Sequence, residues 1–190
     1  MTQAQETKIK RLGVFTLAQA EALGLKPPRI TRLVQAGKLK RVGHGIYLHP
    51  EAEISRTVGF QIAQAKFGPL SAIGGLSALF HYNLVEQVPG QTWVIVAPKT
   101  RTYERIYRLM RTKSDPQTGI DSQAGFRIAS VERALIEALR FSSKIGEGTA
   151  LRAVRTALSK KLTTEAKLGR MAKSLHLEKT LAKFFEAIIS

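Results

Sequence analysis

Arg29, Thr31, Arg32 and Gln35 bring two guanidinium groups, a hydroxyl and an amide together in one short stretch. Arginine pairs with guanine, and glutamine with adenine, through two hydrogen bonds each. Lys38, Lys40, Arg41 and His44 follow closely and suit phosphate or minor-groove contact. Cations and amides gathered in this way suit a polyanion.

The surrounding pattern supplies elements to hold these groups. Thr2–Arg11 has helix-forming residues, and Gly13-Val14-Phe15 interrupts it. Thr16-Leu17-Ala18-Gln19 has the form of a capping box, and Leu17, Ala20 and Leu23 recur at three-residue spacing. Gly24 stops this second helix at a position suited to a left-handed residue. Pro27-Pro28 opens a third helix, where a proline sacrifices no needed amide. Its apolar stripe is Ile30, Leu33 and Val34, which turns Arg29, Thr31, Arg32 and Gln35 outward. Gly37 ends it. Leu39–Val42 and Ile46–Leu48, joined through Gly43-His44-Gly45, read as two strands and a tight turn. Helix, helix, helix, hairpin is the order of a winged helix-turn-helix, whose second paired helix enters the major groove. The alternative is a small helical subdomain with a solvated arginine face.

Charge points the same way. The chain has 190 residues, with 30 Lys and Arg against 14 Asp and Glu, a net charge of +16. Residues 1–50 hold nine basic side chains and two acidic, and residues 140–190 hold eleven and four. Cationic excess of this size describes partners rather than fold, and the commonest cytosolic polyanion is nucleic acid. No long apolar run marks a membrane span, and Met1–Glu6 lacks the apolar core of a signal peptide. With no cysteine, the expectation is a cytoplasmic protein without disulfides or thiolate metal sites.

A composition break near Pro50–Glu53 places a boundary at residue 52. Beyond it, helices are expected over Ile54–Lys66 and Leu70–Tyr82, the latter rich in small residues (Gly74, Gly75, Ser77, Ala78). Thr92–Ala97 reads as a buried strand with Trp93 in the core, and Gly125–Ala129 as another. Asp115–Gly119 reads as a turn. Ser130 caps a helix through Phe141, burying Val131, Leu135 and Leu139. Helices over Thr149–Leu158, Thr163–Leu175 and Glu178–Ile189 close the chain, docking Phe184, Phe185, Ile188 and Ile189. The fold class is therefore α+β: a winged helix-turn-helix domain over 1–52, then a mixed α/β domain over 53–190 ending in helices. A second cationic stretch interleaves Arg101, Arg105, Arg108 and Arg111 with Tyr103 and Tyr107. It is either a nucleic-acid or partner-binding surface, with bases stacked on the rings, or a solvated edge with tucked tyrosines.

No enzymatic signature accompanies these groups. The four histidines, at 44, 49, 81 and 176, lack metal-binding spacing. Phosphate-binding glycine loops and a nucleophile elbow are missing. Aspartate occurs only at 115 and 121, too few for a two-metal site. Glu165-Ala166-Lys167 copies a nuclease motif but falls in a helical pattern rather than on a strand. The expectation is a protein that is not an enzyme and uses no cofactor or metal.

The run Gly13-Val14-Phe15-Thr16, Leu23-Gly24, Leu33-Val34, Gly37-Lys38-Leu39 and Arg41-Val42-Gly43-His44-Gly45-Ile46-Tyr47 resembles the N-terminal domain of AbiEi-type antitoxins. These belong to type IV toxin–antitoxin systems of bacteria and archaea. The likeness covers about residues 13–48. Gly74–Leu79, Trp93–Ala97 and Phe126–Leu135 match the layout of the family's C-terminal domain more loosely. The resemblance implies an antitoxin and autorepressor that binds promoter DNA through its winged helix. It further implies that residues 53–190 counteract a nucleotidyltransferase-like toxin without requiring a stable complex. A Gly-Ser…Asp nucleotidyltransferase signature is missing here, which favours the antitoxin half of such a pair. The competing reading is a basic RNA-binding protein without antitoxin activity.

Overall fold

The computed structural model describes residues 2–51, 57–112, 115–123 and 125–189. They divide into two compact units, Met1–Pro69 and Leu70–Ser190.

The first unit runs α1 (Gln3–Leu12), β1 (Val14–Thr16), α2 (Leu17–Ala22), α3 (Pro27–Gln35), β2 (Lys40–Gly43), β3 (Ile46–Leu48) and α4 (Val58–Phe67). Strand order is β1-β3-β2, antiparallel throughout. Val14 and Phe15 were expected only to break the first helix and Thr16 only to cap the next; together they form a strand that pairs with Ile46–Leu48 and completes the sheet. Three residues are too short a run to show strand periodicity. Ile9, Phe15, Ala20, Leu25, Ile30, Leu33 and Leu39 form one buried core, with Phe15 stacked on Tyr47 at 5.9 Å between centroids. Helix α4 packs on all three strands. The N-terminal unit therefore continues past the composition break at residue 52, because the sheet needs a cover on that face. The expected start of this helix at Ile54 lies outside the described residues.

The second unit holds β4 (Ala72–Ile73), α5 (Gly75–His81), β5 (Thr92–Val96), β6 (Tyr107–Arg111), β7 (Ile120–Gln123), β8 (Phe126–Ala129), α6 (Val131–Arg140), α7 (Ser142–Ile145), α8 (Glu147–Ser159), α9 (Glu165–Ser174) and α10 (Glu178–Ile189). Its sheet has the order β6-β5-β4-β8-β7. The β5–β6 and β4–β8 pairs are parallel, and β4–β5 and β7–β8 antiparallel. The helix expected over Leu70–Tyr82 is a strand followed by a shorter helix. Its glycines serve the sheet: a Cβ on Gly74 would lie 2.6 Å from Cγ1 of Ile95, and one on Gly75 would strike the Trp93 ring.

Helix α6 is the hub, buried from Arg133 through Leu139, with α5, α8, α9 and α10 packed against it. Ser130 caps it by accepting from the Arg133 amide at 3.3 Å, as its position predicts. Val131 is only half-buried. Within α6, Nε of Arg133 donates to Oε1 of Glu137 at 3.2 Å, and its Nη1 donates to the carbonyls of Pro116 and Thr118. At the C-terminus Phe184 and Ile188 are buried, while Phe185 is 41% exposed, a departure from the expected docking. The Ile189 side chain lies outside the described residues.

Candidate nucleic-acid interface

The site is built from two turns. Helix α2 begins with a complete capping box: the Gln19 amide donates to Oγ1 of Thr16 at 3.3 Å, and the Thr16 amide donates to Oε1 of Gln19 at 2.8 Å. It ends in paired bonds, Gly24 N–H to the Glu21 carbonyl and Leu25 N–H to the Ala20 carbonyl. Gly24 takes φ +79°, which L side chains rarely adopt. Helix α3 ends the same way, with Gly37 donating to Val34 and Lys38 to Leu33. These closures set the angle between the two helices and the direction in which the chain enters β2.

Ile30 and Leu33 anchor α3 in the core. At 100° per residue, Pro28, Thr31, Arg32 and Gln35 stand opposite them, with Arg29 at the margin. Arg29, Thr31, Arg32 and Gln35 are all exposed, as their spacing predicts. The Thr31 hydroxyl donates back to the Pro27 carbonyl at 3.1 Å, which fixes its rotamer and leaves its methyl and lone pairs outward. In the hairpin, Lys38, Lys40, Arg41 and His44 are exposed. A register shift between Arg41 and Gly43 bends the strand, and Nε of Arg41 donates to the Gly43 carbonyl at 3.2 Å. Among the described residues none of these cations is in a salt bridge.

One residue escaped the sequence pattern. Lys26 precedes the paired prolines as the N-cap of α3 without a side-chain cap bond. It shares a shallow depression of about 760 Å³ with Arg29, Arg32 and Lys38. Four cations thus border one concavity with no acidic side chain in its lining. A lysine before Pro-Pro was the available signal, but its helical position depended on where α2 ended.

The second cationic stretch is not one surface. Tyr107 is 7% exposed, so its ring cannot stack on a base, contrary to the platform reading. Arg108 is half-buried and lies over the Trp93 ring, its Cζ 4.8 Å from the centroid. The cause is strand formation: Tyr107 and Arg108 open β6, which pairs with β5 from Thr92 onward. Tyr103 is fully exposed, and Arg101, Arg105 and Arg111 are exposed. Glu165 begins α9, so the nuclease-like tripeptide sits on a helix, as its pattern predicts.

Helices α1–α3 followed by a basic hairpin that completes a short antiparallel sheet form a winged helix-turn-helix, a class that reads duplex DNA. Residues 5–50 match the sequence profile of a family described as "Transcriptional regulator, AbiEi antitoxin". Among curated proteins there is no match to the chain. No helix among the described residues is long and apolar enough to cross a membrane.

Proposed function

We infer that this chain is a transcriptional autorepressor and antitoxin of a type IV toxin–antitoxin operon. Its first unit binds promoter DNA, with α3 in the major groove and the β2–β3 turn on the adjacent backbone. The observation that carries this reading is the exposed set Arg29, Arg32, Lys38, Lys40 and Arg41, without ion pairs among the described residues, on a winged-helix frame within the segment that matches the antitoxin-regulator family. Arg29, Arg32 and Gln35 read base edges, with Thr31 beside them. Lys26, Lys38, Lys40, Arg41 and His44 hold phosphates and set the register.

The antitoxin half rests on the family match alone. In this reading residues 70–190 counteract a nucleotidyltransferase-like toxin, the protein works in the cytoplasm, and it acts by binding rather than by catalysis. The test is a gel-shift titration of the chain's own promoter fragment against a scrambled duplex and a structured RNA. Preferential retention of the promoter is expected. Preference for the RNA would replace this reading with that of a general RNA-binding protein.

A further inference from the structure

The second unit carries a separate cationic cavity that the winged-helix reading does not use. It has a volume of about 360 Å³ and is lined by Arg111, Arg140 and His176, with Thr112, Leu175 and Leu177 among its walls. The three basic residues come from three elements: the end of β6, the last residue of α6, and the turn between α9 and α10. No acidic side chain lines the cavity, and among the described residues none of the three is in a salt bridge. Arg140 feels the Glu137 carboxyl buried within α6, but nothing acidic lines the cavity beside Arg111, and two guanidinium groups at one concavity favour an anion between them.

Hydrogen bonds anchor Arg111 and the backbone at His176. Nε of Arg111 donates to the Thr100 carbonyl at 3.2 Å, which leaves its two terminal nitrogens to point elsewhere. The same carbonyl accepts from Nη1 of Arg101 at 3.0 Å, bringing a third guanidinium to the neighbourhood. The Arg140 guanidinium lies 5.1 Å from the Phe141 ring centroid and has no hydrogen-bond partner among the described residues. His176 is fixed by the helix closure, its own amide bonded to Lys173 and that of Leu177 to Ala172. Val96 and Arg111 are paired at the carboxyl ends of the parallel strands β5 and β6.

We propose that this cavity binds a phosphate group, carried by a mononucleotide or exposed on a nucleic-acid strand. Arginine forks match the geometry of phosphate oxygens through paired hydrogen bonds, and the volume suits a ligand of nucleotide size. Leu175 and Leu177 provide an apolar wall beside the charged floor.

The experiment is calorimetric titration of the full chain with inorganic phosphate, with a nucleoside monophosphate and with a short single-stranded RNA. The Arg111→Gln, Arg140→Gln double variant is compared with a Lys173→Gln, Lys179→Gln control on exposed positions of α9 and α10 outside the cavity. A saturable site is expected that weakens about tenfold per arginine removed and is unaffected in the control. Binding of the small anions identifies a free ligand; an effect confined to RNA identifies a phosphodiester. His176→Gly supplies a variant that does not threaten the fold, because the backbone there has φ +55°, which glycine adopts readily. It is expected to weaken binding while leaving the melting temperature equal or higher. Absence of saturable binding for all three probes, or equal weakening in the lysine control, overturns the proposal.

Discussion

The amide of Leu17 donates to the carbonyl of Gly45 at 2.8 Å, so the first residue of α2 holds the turn of the β2–β3 hairpin. Helix α2 and the hairpin are therefore coupled through the backbone. Gly45 has φ +66° and makes this geometry possible. A branched residue there is expected to cost about 1–2 kcal/mol, since left-handed backbone brings Cβ against the following carbonyl. Urea unfolding of Gly45→Val should show that loss, and Gly45→Asn a smaller one. Equal stability in both would mean that the turn is not under conformational constraint.

Base-reading and phosphate-holding side chains separate by their salt dependence. Arg29→Ala and Arg32→Ala should each weaken operator binding by about 1–3 kcal/mol if they pair with guanines, and should barely change affinity for scrambled duplex. Lys26→Ala, Lys40→Ala and Arg41→Ala should weaken every duplex alike and lower the salt slope by about one. Gel shifts at two salt concentrations distinguish the two patterns. Unchanged operator affinity in the Arg29, Arg32 double variant would remove α3 as the reading helix.

Arg133→Ala should destabilise the chain by about 3–5 kcal/mol, because it strands a buried carboxylate and two carbonyls. Burial pushes the Glu137 carboxyl above its ordinary 4.5, against the opposing pull of Arg133 and Arg140. A raised folded value means that the protonated form suits the fold. Its stabilising effect is present at low pH and is lost as pH rises through that value. Without Arg133 the rise is larger, so the variant's deficit should be greatest at neutral pH and shrink toward pH 4.5. Denaturant midpoints at the two pH values test this; a deficit that grows on acidification contradicts it.

Gly75→Ala tests the close approach of the first residue of α5 to β5 and β6. The added methyl would meet the Trp93 ring and the Met110 sulfur, on a backbone already at φ +49°. A loss of about 1–3 kcal/mol is expected from overpacking, plus the conformational cost. Gly90→Ala, with open space around its Cβ, is the matched control. Thermal melts should show a clear drop for the first and little change for the second.

Much of the first unit was legible in the order of residues alone. Thr16 and Gln19 form their capping box, Pro27-Pro28 opens α3, Gly24 and Gly37 close the helices, and His44-Gly45 turns the hairpin. Each of these is a local device, complete within a few neighbouring residues, so spacing and side-chain chemistry suffice to specify it. The outward set from Arg29 to Gln35 follows from helical period in the same way. Tertiary structure decided what depends on distant partners. Val14–Thr16 is a strand only because Ile46–Leu48 lies beside it, and Ala72–Ile73 only because β5 and β8 flank it. Tyr107 is buried by its pairing with Thr92, which no alternation of arginine and tyrosine encodes. Arg111 joins Arg140 and His176 through folding alone. Hydrogen bonding across a sheet and the convergence of charges from separate elements are non-local, and no window along the chain contains both halves of them.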